Sequence, residues 1–555
     1  MGNIDAAIEA FFAPIASVLS AIVFFKLPVF GGVPVVVLWL MAAAIFFTIW
    51  LRFQPITGFK HSLQVIRGRF AAKTDPGEVS SFQALATELS GTVGLGNIAG
   101  VAIGIVAGGP GAALWIALFG IFAMSVKMAE ATLGAKYRRV LPDGTTVGGP
   151  MYVLKEGFAE IGWKRTGAVL AAIYAVCALI GMIGGGNLFQ ANQVTLLVTA
   201  GFGEGSFVAE NNWIVGVVLA VMVAVVVLGG VTSIARYTSA ITPFMAIIYI
   251  LATLVLIVMN IQALPGALAE IVTGAFTAKG VTGGVIGVAV VGIQRALFSN
   301  AAGVGTAAMS FSATKNRTPA TEGYTAMWGP LIDSVVVCML TAVSIVITGV
   351  HRTGDQNADG VELTAQAFST VAGWFPILLT IVVFLFGFST LLSYSFFCEM
   401  LATYLFGPTK RVRLTLRVVY VLLTVVGASI SMTSMVAFAD ATTFLVTIPN
   451  LIGLYVLAKV VRREILWHRT RVDTGSLVAL DPSIAVGMRD HEPTEQQVQD
   501  AERERTAEKD RLDQLHRTLG ADPDWSHHDE QGNWVDTDAS EPTPDEETSS
   551  DRDPA

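Results

Sequence analysis

The chain predicts an all-α membrane protein, and three observations carry that prediction. Its 555 residues are 53% hydrophobic and only 14% charged, far from the soluble average. Apolar segments of roughly 20 or more residues, each long enough to cross a hydrocarbon core of about 30 Å, recur from residue 33 to residue 461. Two short runs rich in glycine and polar residues, Gly91-Thr92-Val93-Gly94-Leu95-Gly96-Asn97 and Ser299-Asn300-Ala301-Ala302-Gly303-Val304-Gly305, interrupt two of these segments about two hundred residues apart. A helix that unwinds within a bilayer leaves peptide groups unpaired, which is tolerable only where they line a cavity and bind something else.

Residues 1–32 form an N-terminal segment whose apolar stretch, 6–28, is broken by Pro14, Lys26 and Pro28 and is expected at the interface. Asp5 and Glu9 stand where a positive region would precede a cleavable signal, so insertion falls to the first spanning helix, 33–52. Ten further spans follow, at 79–107, 112–136, 167–198, 213–231, 236–260, 284–312, 323–349, 375–405, 412–433 and 436–461. An odd total of 11 transmembrane helices puts the termini on opposite sides. Arg52, Lys60, Arg67, Arg69 and Lys73 follow the first span, Lys136, Arg138 and Arg139 the third, and Lys315 and Arg317 the seventh. Lys410, Arg411 and Arg413 follow the ninth, and Arg462, Arg463, Arg469 and Arg471 the last, all on the same face. Basic short loops mark the cytoplasmic side, while the opposite loops, Glu204–Asn212 and Asp355–Glu362, read acidic or neutral. The N-terminus is therefore expected outside and the C-terminus inside a plasma membrane.

The tail, 471–555, holds 8 of the 35 Lys+Arg and 23 of the 43 Asp+Glu, so it carries −15 and the embedded part +7. With few large apolar residues it cannot bury enough surface to offset chain entropy, and it is expected to be an acidic, mostly disordered cytoplasmic appendage. Residues 494–518 carry mixed charges at helical spacing, as a solvated or regulatory helix would. Cys177, Cys338 and Cys398 lie in apolar runs without metal-ligand spacing and read as packing residues.

Without the first span, ten helices divide into two sets of five, 79–260 and 284–461, each opening with an interrupted helix. This is the pattern of a 5+5 inverted repeat whose broken helices meet near the midplane. Close helix packing through glycines is the plainer alternative, but it leaves Thr92, Asn97, Ser299 and Asn300 beside the glycines unexplained.

Five stretches in order, Glu88-Leu-Ser-Gly-Thr-Val-Gly-Leu-Gly-Asn-Ile-Ala-Gly, Gly148-Gly-Pro-Met-Tyr, Gly184-Gly-Gly-Asn-Leu-Phe-Gln-Ala-Asn-Gln, Phe298-Ser-Asn-Ala-Ala-Gly-Val-Gly-Thr-Ala and Phe388-Ser-Thr-Leu-Leu-Ser-Tyr-Ser, resemble the alanine or glycine:cation symporter family. The resemblance to these sodium:alanine symporters runs from about residue 6 to residue 465. It implies the inverted-repeat fold of the amino acid-polyamine-organocation superfamily and sodium-coupled symport of alanine or glycine. Val93-Gly-Leu-Gly-Asn97 is also similar to the first core helix of neurotransmitter:sodium symporters.

A zwitterionic amino acid needs donors for its carboxylate, acceptors for its ammonium and a pocket sized to its side chain. Free N–H groups around Gly94, Gly96 and Asn97 suit the carboxylate, with the Thr92 hydroxyl beside them. Gln190 offers donors and an acceptor without net charge, although an interhelical hydrogen bond would explain it as well. Gly185 and Gly186, about one turn earlier, make room for cargo. Phe298 would wall the pocket or simply pack, and Ser299 adds a hydroxyl at the second break. Sodium wants about five or six oxygen ligands. The resemblance pairs Ser389 and Thr390 with carbonyls near Ser90 and Val93, whereas isolated Ser and Thr hydroxyls commonly bond their own helix. Thr390 and Tyr394, one turn apart, would face the same site, although many family members carry Trp at the latter position.

Glu88, Lys127, Glu130, Arg295, Asp333 and Glu399 are ionisable within or near spans. Lys127 and Glu130, three apart, are expected to pair on one helix, and Glu88 to tune cation binding or carry a proton. His61, His351 and His468 are expected in loops, which leaves no His/Glu or Ser/His constellation within the spans. The chain is accordingly expected not to be an enzyme and to need no cofactor beyond a coupling ion, sodium or alternatively a proton. No phosphate-binding Gly-x-x-x-x-Gly-Lys-[Ser/Thr] occurs, and the basic loops lack interleaved aromatics, so neither ATP nor nucleic acid is expected as a partner. The expected partners are the small-molecule substrate and the bilayer, with a monomer as working unit. An amino-acid-binding membrane sensor or channel is the alternative from another class.

Overall fold

The computed structural model describes residues 3–27, 32–140, 146–203, 206–277, 284–353, 360–487 and 493–519. The chain is mostly helical. In order the principal helices are α1 (Asn3–Val23), α2 (Val35–Trp50), α3 (Phe59–Ile66), α4 (Ser81–Thr92), α5 (Ala99–Gly108), α6 (Ala112–Lys136) and α7 (Lys164–Phe202). They continue with α8 (Trp213–Val227), α9 (Gly230–Met259), α10 (Leu264–Phe276), α11 (Gly284–Asn300), α12 (Thr306–Ser310) and α13 (Pro319–Ile347). The last six are α14 (Val361–Ser369), α15 (Phe375–Phe406), α16 (Lys410–Ala428), α17 (Met432–Val456), α18 (Ala458–Asp473) and α19 (Glu495–Leu519). Strand pairing among the described residues amounts to two antiparallel ribbons, Lys26–Leu27 with Val33–Pro34 and Arg139–Val140 with Thr146–Val147.

Among the described residues, six helices are long and apolar enough to cross a membrane: α6, α7, α9 from Arg236, α13, α15 and α17. The pair Ser81–Thr92 and Leu95–Gly108, bent by 59°, makes a seventh if it counts as one broken span. Shorter apolar helices occupy Phe12–Val23, Val35–Trp50, Trp213–Val227, Ile261–Phe276 and Gly284–Asn300. Every predicted segment is thus helical, and α10 and α14 are helices that the apolar runs did not announce. On the outer helices Val218, Val225, Leu251 and Val258 are exposed, an apolar exterior that suits lipid rather than water.

Local chemistry explains where the broken helices begin and end. Ser80 caps α4 by accepting the Gln83 N–H at 3.2 Å, while the Gln83 side chain accepts from the Ser80 N–H at 2.9 Å. At the second break Ala301, Gly303 and Gly305 all have positive φ (50°, 91° and 94°). Glycine takes that conformation freely, whereas Ala301 bears a cost of about 1 kcal/mol or more. Wide i→i+5 turns at Gly184–Leu188 in α7 and Leu331–Val337 in α13 swell those helices beside the breaks.

Helix α6 runs through the middle of the bundle, packed on α2, α11 and α13. Small residues permit this approach: Gly120 lies under Ser334 and Gly134 against the backbone of Ala308. Helix α1 runs along α17, with Phe12 edge-on to Phe438 at 5.7 Å and Phe24 to Phe444 at 5.1 Å. Two expectations are corrected here. His61 and His468 lie on α3 and α18, buried and joined Nε2 to Nε2 at 2.8 Å, because the connections carrying them fold back as helices under the bundle. Lys127 does not pair with Glu130. It reaches across to Glu88 on α4, since both side chains of α6 point into the core toward different neighbours.

The chain beyond α18 folds back on the body. The Leu480 N–H donates to the Arg69 carbonyl at 2.7 Å and the Val486 N–H to the Ala71 carbonyl at 2.9 Å. Helix α19, expected as a solvated or regulatory helix, docks on the body: Ala501 closes an apolar cluster with Ala72, Leu480, Ile484 and Ala485. Its Glu508 pairs with Arg317 and with Arg471, and Arg505 meets Asp75 at 3.0 Å. Residues 520–555, which hold 12 of the tail's 23 Asp and Glu residues, lie outside the described residues.

Candidate functional site

The first break forms because α4 gives out at Thr92. Val93 leaves helical geometry, the Gly94 N–H turns back to the Thr92 carbonyl at 2.8 Å, and one tight turn over Leu95–Asn97 leads into α5. Gln190 on α7 holds that turn. Its Oε1 accepts the Leu95 N–H at 3.1 Å and its Nε2 donates to the Gly185 carbonyl at 3.0 Å. From α15, the Thr390 hydroxyl donates to the Ser90 carbonyl at 3.0 Å, and the Ser90 hydroxyl donates to the Ser389 carbonyl at 2.9 Å. A Cβ on Gly94 would sit 2.7 Å from the Thr390 oxygen, and one on Gly96 would sit 2.9 Å from the Phe298 carbonyl. Only glycine lets the three helices come this close.

A narrow buried cavity opens at this convergence. Gly91, Thr92, Gly94, Gly96, Gly185, Gln190, Phe298, Ala301, Tyr394 and Thr443 line it. The structure therefore brings together seven residues that the sequence nominated for substrate: Thr92, Gly94, Gly96, Gly185, Gln190, Phe298 and Tyr394. Gly186 stands behind the Tyr394 ring, which occupies the space a side chain there would need. Phe298 packs edge-on to Phe189 at 4.7 Å, and the Arg295 guanidinium lies 5.8 Å from its ring centre. Two nominated side chains turn elsewhere. Ser299 meets the Cys338 sulfur at 3.2 Å, and Asn97 directs its Nδ2 to the Asp333 carbonyl at 3.4 Å.

Of the residues nominated for sodium, Ser90, Ser389 and Thr390 meet at the junction of α4 and α15, and Val93 is buried at the end of the same half-helix. The Ser389 hydroxyl also bonds its own helix, at the Phe386 carbonyl, 3.0 Å away.

The second break is organised by Glu130, which the sequence had paired with Lys127. Its Oε1 accepts the N–H groups of Gly303 (2.9 Å) and Gly305 (3.0 Å) and the Asn450 amide (2.9 Å). A carboxylate at the start of α12 satisfies donors that the unwound chain exposes. Glu88 is equally committed: it pairs with Lys127 and accepts hydroxyls from Thr306 (2.7 Å) and Ser310 (2.6 Å). That network ties α4 to α6 and α12. Arg295 pairs with Asp440 of α17. Ala301 and Thr443 were missed as cavity walls. Nothing in the run Ala-Asp-Ala-Thr-Thr-Phe distinguishes Thr443, and Ala301 matters only through its place in the break.

Residues 17–478 match the family described as the sodium:alanine symporter family. The chain is 37% identical over 78% of its length to the sodium/alanine symporter AgcS of Methanococcus maripaludis, of which it covers 93%. It is 31% identical over 76% of its length to the probable sodium/glutamine symporter GlnT of Bacillus subtilis, of which it covers 85%. Among solved structures it is similar to MhsT in complex with L-phenylalanine, at 15% identity and a TM-score of 0.47, covering 70% of this chain and 99% of that one.

Proposed function

This chain belongs to the sodium:alanine symporter family, and on that premise we propose that it is a secondary active transporter coupling downhill sodium entry to uptake of a small neutral amino acid, alanine or glycine. The observation that carries the reading is the buried cavity on which the first break, the second break and Gln190 converge. The Gly96 N–H, with the Thr92 hydroxyl, receives the substrate carboxylate, since the Gly94 and Asn97 N–H groups expected to share it are returned to the Thr92 and Gly94 carbonyls. Phe298 and Tyr394 close the pocket around a short side chain, and the Tyr394 ring over Gly186 leaves little room for a larger one. Ser90, Val93, Ser389 and Thr390 offer hydroxyl and carbonyl oxygens to a sodium ion where α4 meets α15. No covalent step is involved.

The wider architecture follows from the same premise. The two broken helices open two five-helix repeats of inverted topology, 79–260 and 284–461, preceded by an extra N-terminal helix. The chain crosses the plasma membrane 11 times with its N-terminus outside and its tail in the cytoplasm. Cargo is exposed to each side in turn by rocking one bundle against the other, in a monomer.

Uptake of labelled alanine into proteoliposomes carrying the purified protein tests this reading, with an inward sodium gradient, an inward proton gradient or neither. Accumulation above equilibrium only with sodium, competed by glycine, is expected. Accumulation with protons alone would overturn the ion, and binding without accumulation would replace the transporter by a sensor or channel.

A further inference from the structure

We propose that α19 is an autoinhibitory latch on the inner exit from the cavity: docked, it holds the two broken helices together at their cytoplasmic ends, and released, it lets them part. The proposal rests on the transporter reading, with the tail in the cytoplasm, and adds a regulation of the same cavity.

Main-chain hydrogen bonds close the exit. From the cavity, α4 runs back from Thr92 to Ser81, and α12 with the turn after it runs from Thr306 to Ala313. Glu88 joins them midway through the hydroxyls of Thr306 and Ser310. At their far ends the Glu78 and Val79 N–H groups donate to the Ala313 carbonyl at 2.8 and 3.2 Å, and the Lys315 N–H donates to the Val79 carbonyl at 2.8 Å. Arg138, just beyond α6, donates to the Pro76 carbonyl at 3.0 Å and to the Thr314 carbonyl, so it grips both sides of this seam. The basic loops put the seam on the cytoplasmic side, and cargo leaving there has to open it.

Helix α19 spans the seam. Arg505 and Glu508, three apart, share one face of the helix. Arg505 meets Asp75, five residues before the Ser80 cap of α4, at 3.0 Å and the Thr74 carbonyl at 3.3 Å. Glu508 meets Arg317, three residues after Thr314, and also Arg471 of α18 at 2.6 Å. Asp75 and Arg317 face each other at 3.3 Å, both with buried side chains. One helix is thus pinned to the lead-in of the first broken helix and to the lead-out of the second. A tail that merely packed on the body would need only its contacts with α18 and with residues 69–73.

The hold is reversible by composition. Of the 25 residues of α19, 12 are charged, and among the described side chains its buried apolar residues are Ala501 and Leu515. Ion pairs near a protein surface contribute little individually and are screened by salt. Docked and undocked α19 therefore differ by a small free energy, and the seam opens less often while the helix is down.

The test uses the full chain and two variants that undock α19 through different contacts. Arg505→Ala combined with Glu508→Ala removes the ion pairs, and Ala501→Glu drives a charge into the apolar cluster. Hydrogen exchange followed by mass spectrometry reads the amides of Glu78, Val79 and Lys315 in the seam. Sodium-driven alanine uptake into proteoliposomes reads the consequence. In both variants the seam amides should exchange about five-fold faster than in wild type, the lower end of typical coupling between two parts of a protein. The maximal uptake rate should rise in both. Wild-type uptake should also rise with ionic strength set by choline chloride, a response that the variants lose. Free exchange across 495–519 with seam amides as slow as in wild type would overturn the proposal and leave α19 an appendage. So would faster seam exchange with slower uptake, which would make the helix a brace that the working cycle needs. A wild type that takes up no alanine would defeat the transporter reading instead, and the exchange measurement, which needs no cargo, still decides whether α19 holds the seam.

Discussion

Gln190 holds two backbone groups at once, the Leu95 N–H and the Gly185 carbonyl, and so fixes the distance between the first break and the swollen turn of α7. Leucine has nearly the same volume but leaves both groups buried and unpaired, at a cost of about 1–3 kcal/mol each. Gln190→Leu should therefore lose at least about ten-fold in alanine affinity, a factor worth about 1.4 kcal/mol, while still eluting as folded protein. An affinity equal to wild type would remove Gln190 from the site. Gly186→Ala tests the opposite error, too much volume. The added methyl meets the Tyr394 ring, and overpacking of this kind costs about 1–3 kcal/mol. Uptake should fall sharply, and Gly186→Ala combined with Tyr394→Leu should recover part of it; failure of any recovery would show that the ring is not the obstacle. At this scale the sequence was a good guide where the signal was a polar or missing side chain inside an apolar run, as at Thr92, Gln190 and the glycines. It was a poor guide to direction. Asn97 and Ser299 sit in the right breaks but point toward Asp333 and Cys338.

Among the elements, the two breaks are stabilised by different means. The first is held by a neutral amide and by hydroxyls from α15, the second by the Glu130 carboxylate. Removing Glu130 leaves the Gly303 and Gly305 N–H groups facing no acceptor, while the Asn450 amide keeps only the Gly303 carbonyl. Glu130→Ala should destabilise the protein by about 3 kcal/mol or more, the scale for breaking a buried charged network, and transport should be lost at temperatures where the variant is still folded. A Glu130→Gln variant keeps one acceptor oxygen and should fall between the two. Retention of full uptake by Glu130→Ala would show that the second break holds without it. Helix α19 offers a separate test. Glu508 is nearly buried between Arg317 and Arg471, and those contacts join the tail to the segment following α12. Glu508→Ala should expose the chain at 493–519 to limited proteolysis that the wild type resists, and an unchanged digestion pattern would show that the Ala501 cluster suffices. Composition had marked this stretch as solvated because its helix is mostly charged. Two charges and one alanine decide otherwise by finding partners far away in sequence.

Across the whole molecule, the buried histidine pair joins three parts of the bundle, His61 from α3, His468 from α18 and Thr318 at the start of α13, 2.9 Å from His468 Nδ1. Burial lowers the His61 ring to about 4, with Arg469 adding to the depression, and burial holds His468 well below the usual histidine range, with His61 adding to it. Between about 4 and the unfolded value near 6.5, the unfolded chain binds protons that the folded chain refuses. Stability therefore rises with pH through that window, is complete above it, and loses on the order of 3 kcal/mol from His61 alone as the solution is acidified. Thermal unfolding followed from pH 7.5 to pH 4.5 should show a steeper acid loss in wild type than in His61→Gln; parallel curves would mean that the pair does not titrate on unfolding.

The sequence by itself determined that the chain is a helical membrane protein with two interrupted helices, and it placed most of the cavity residues, because apolar length and polar interruptions are local properties that neighbouring residues reveal. It did not determine which charges meet. Lys127 is three residues from Glu130 yet pairs with Glu88, 39 positions away, and Asp333 stands out only once the buried carboxylates Glu88, Glu130, Glu322, Glu399 and Asp440 are seen to have found partners. Tertiary packing decided those pairings, since helices that cross in space bring together side chains whose separation along the chain carries no information about their distance.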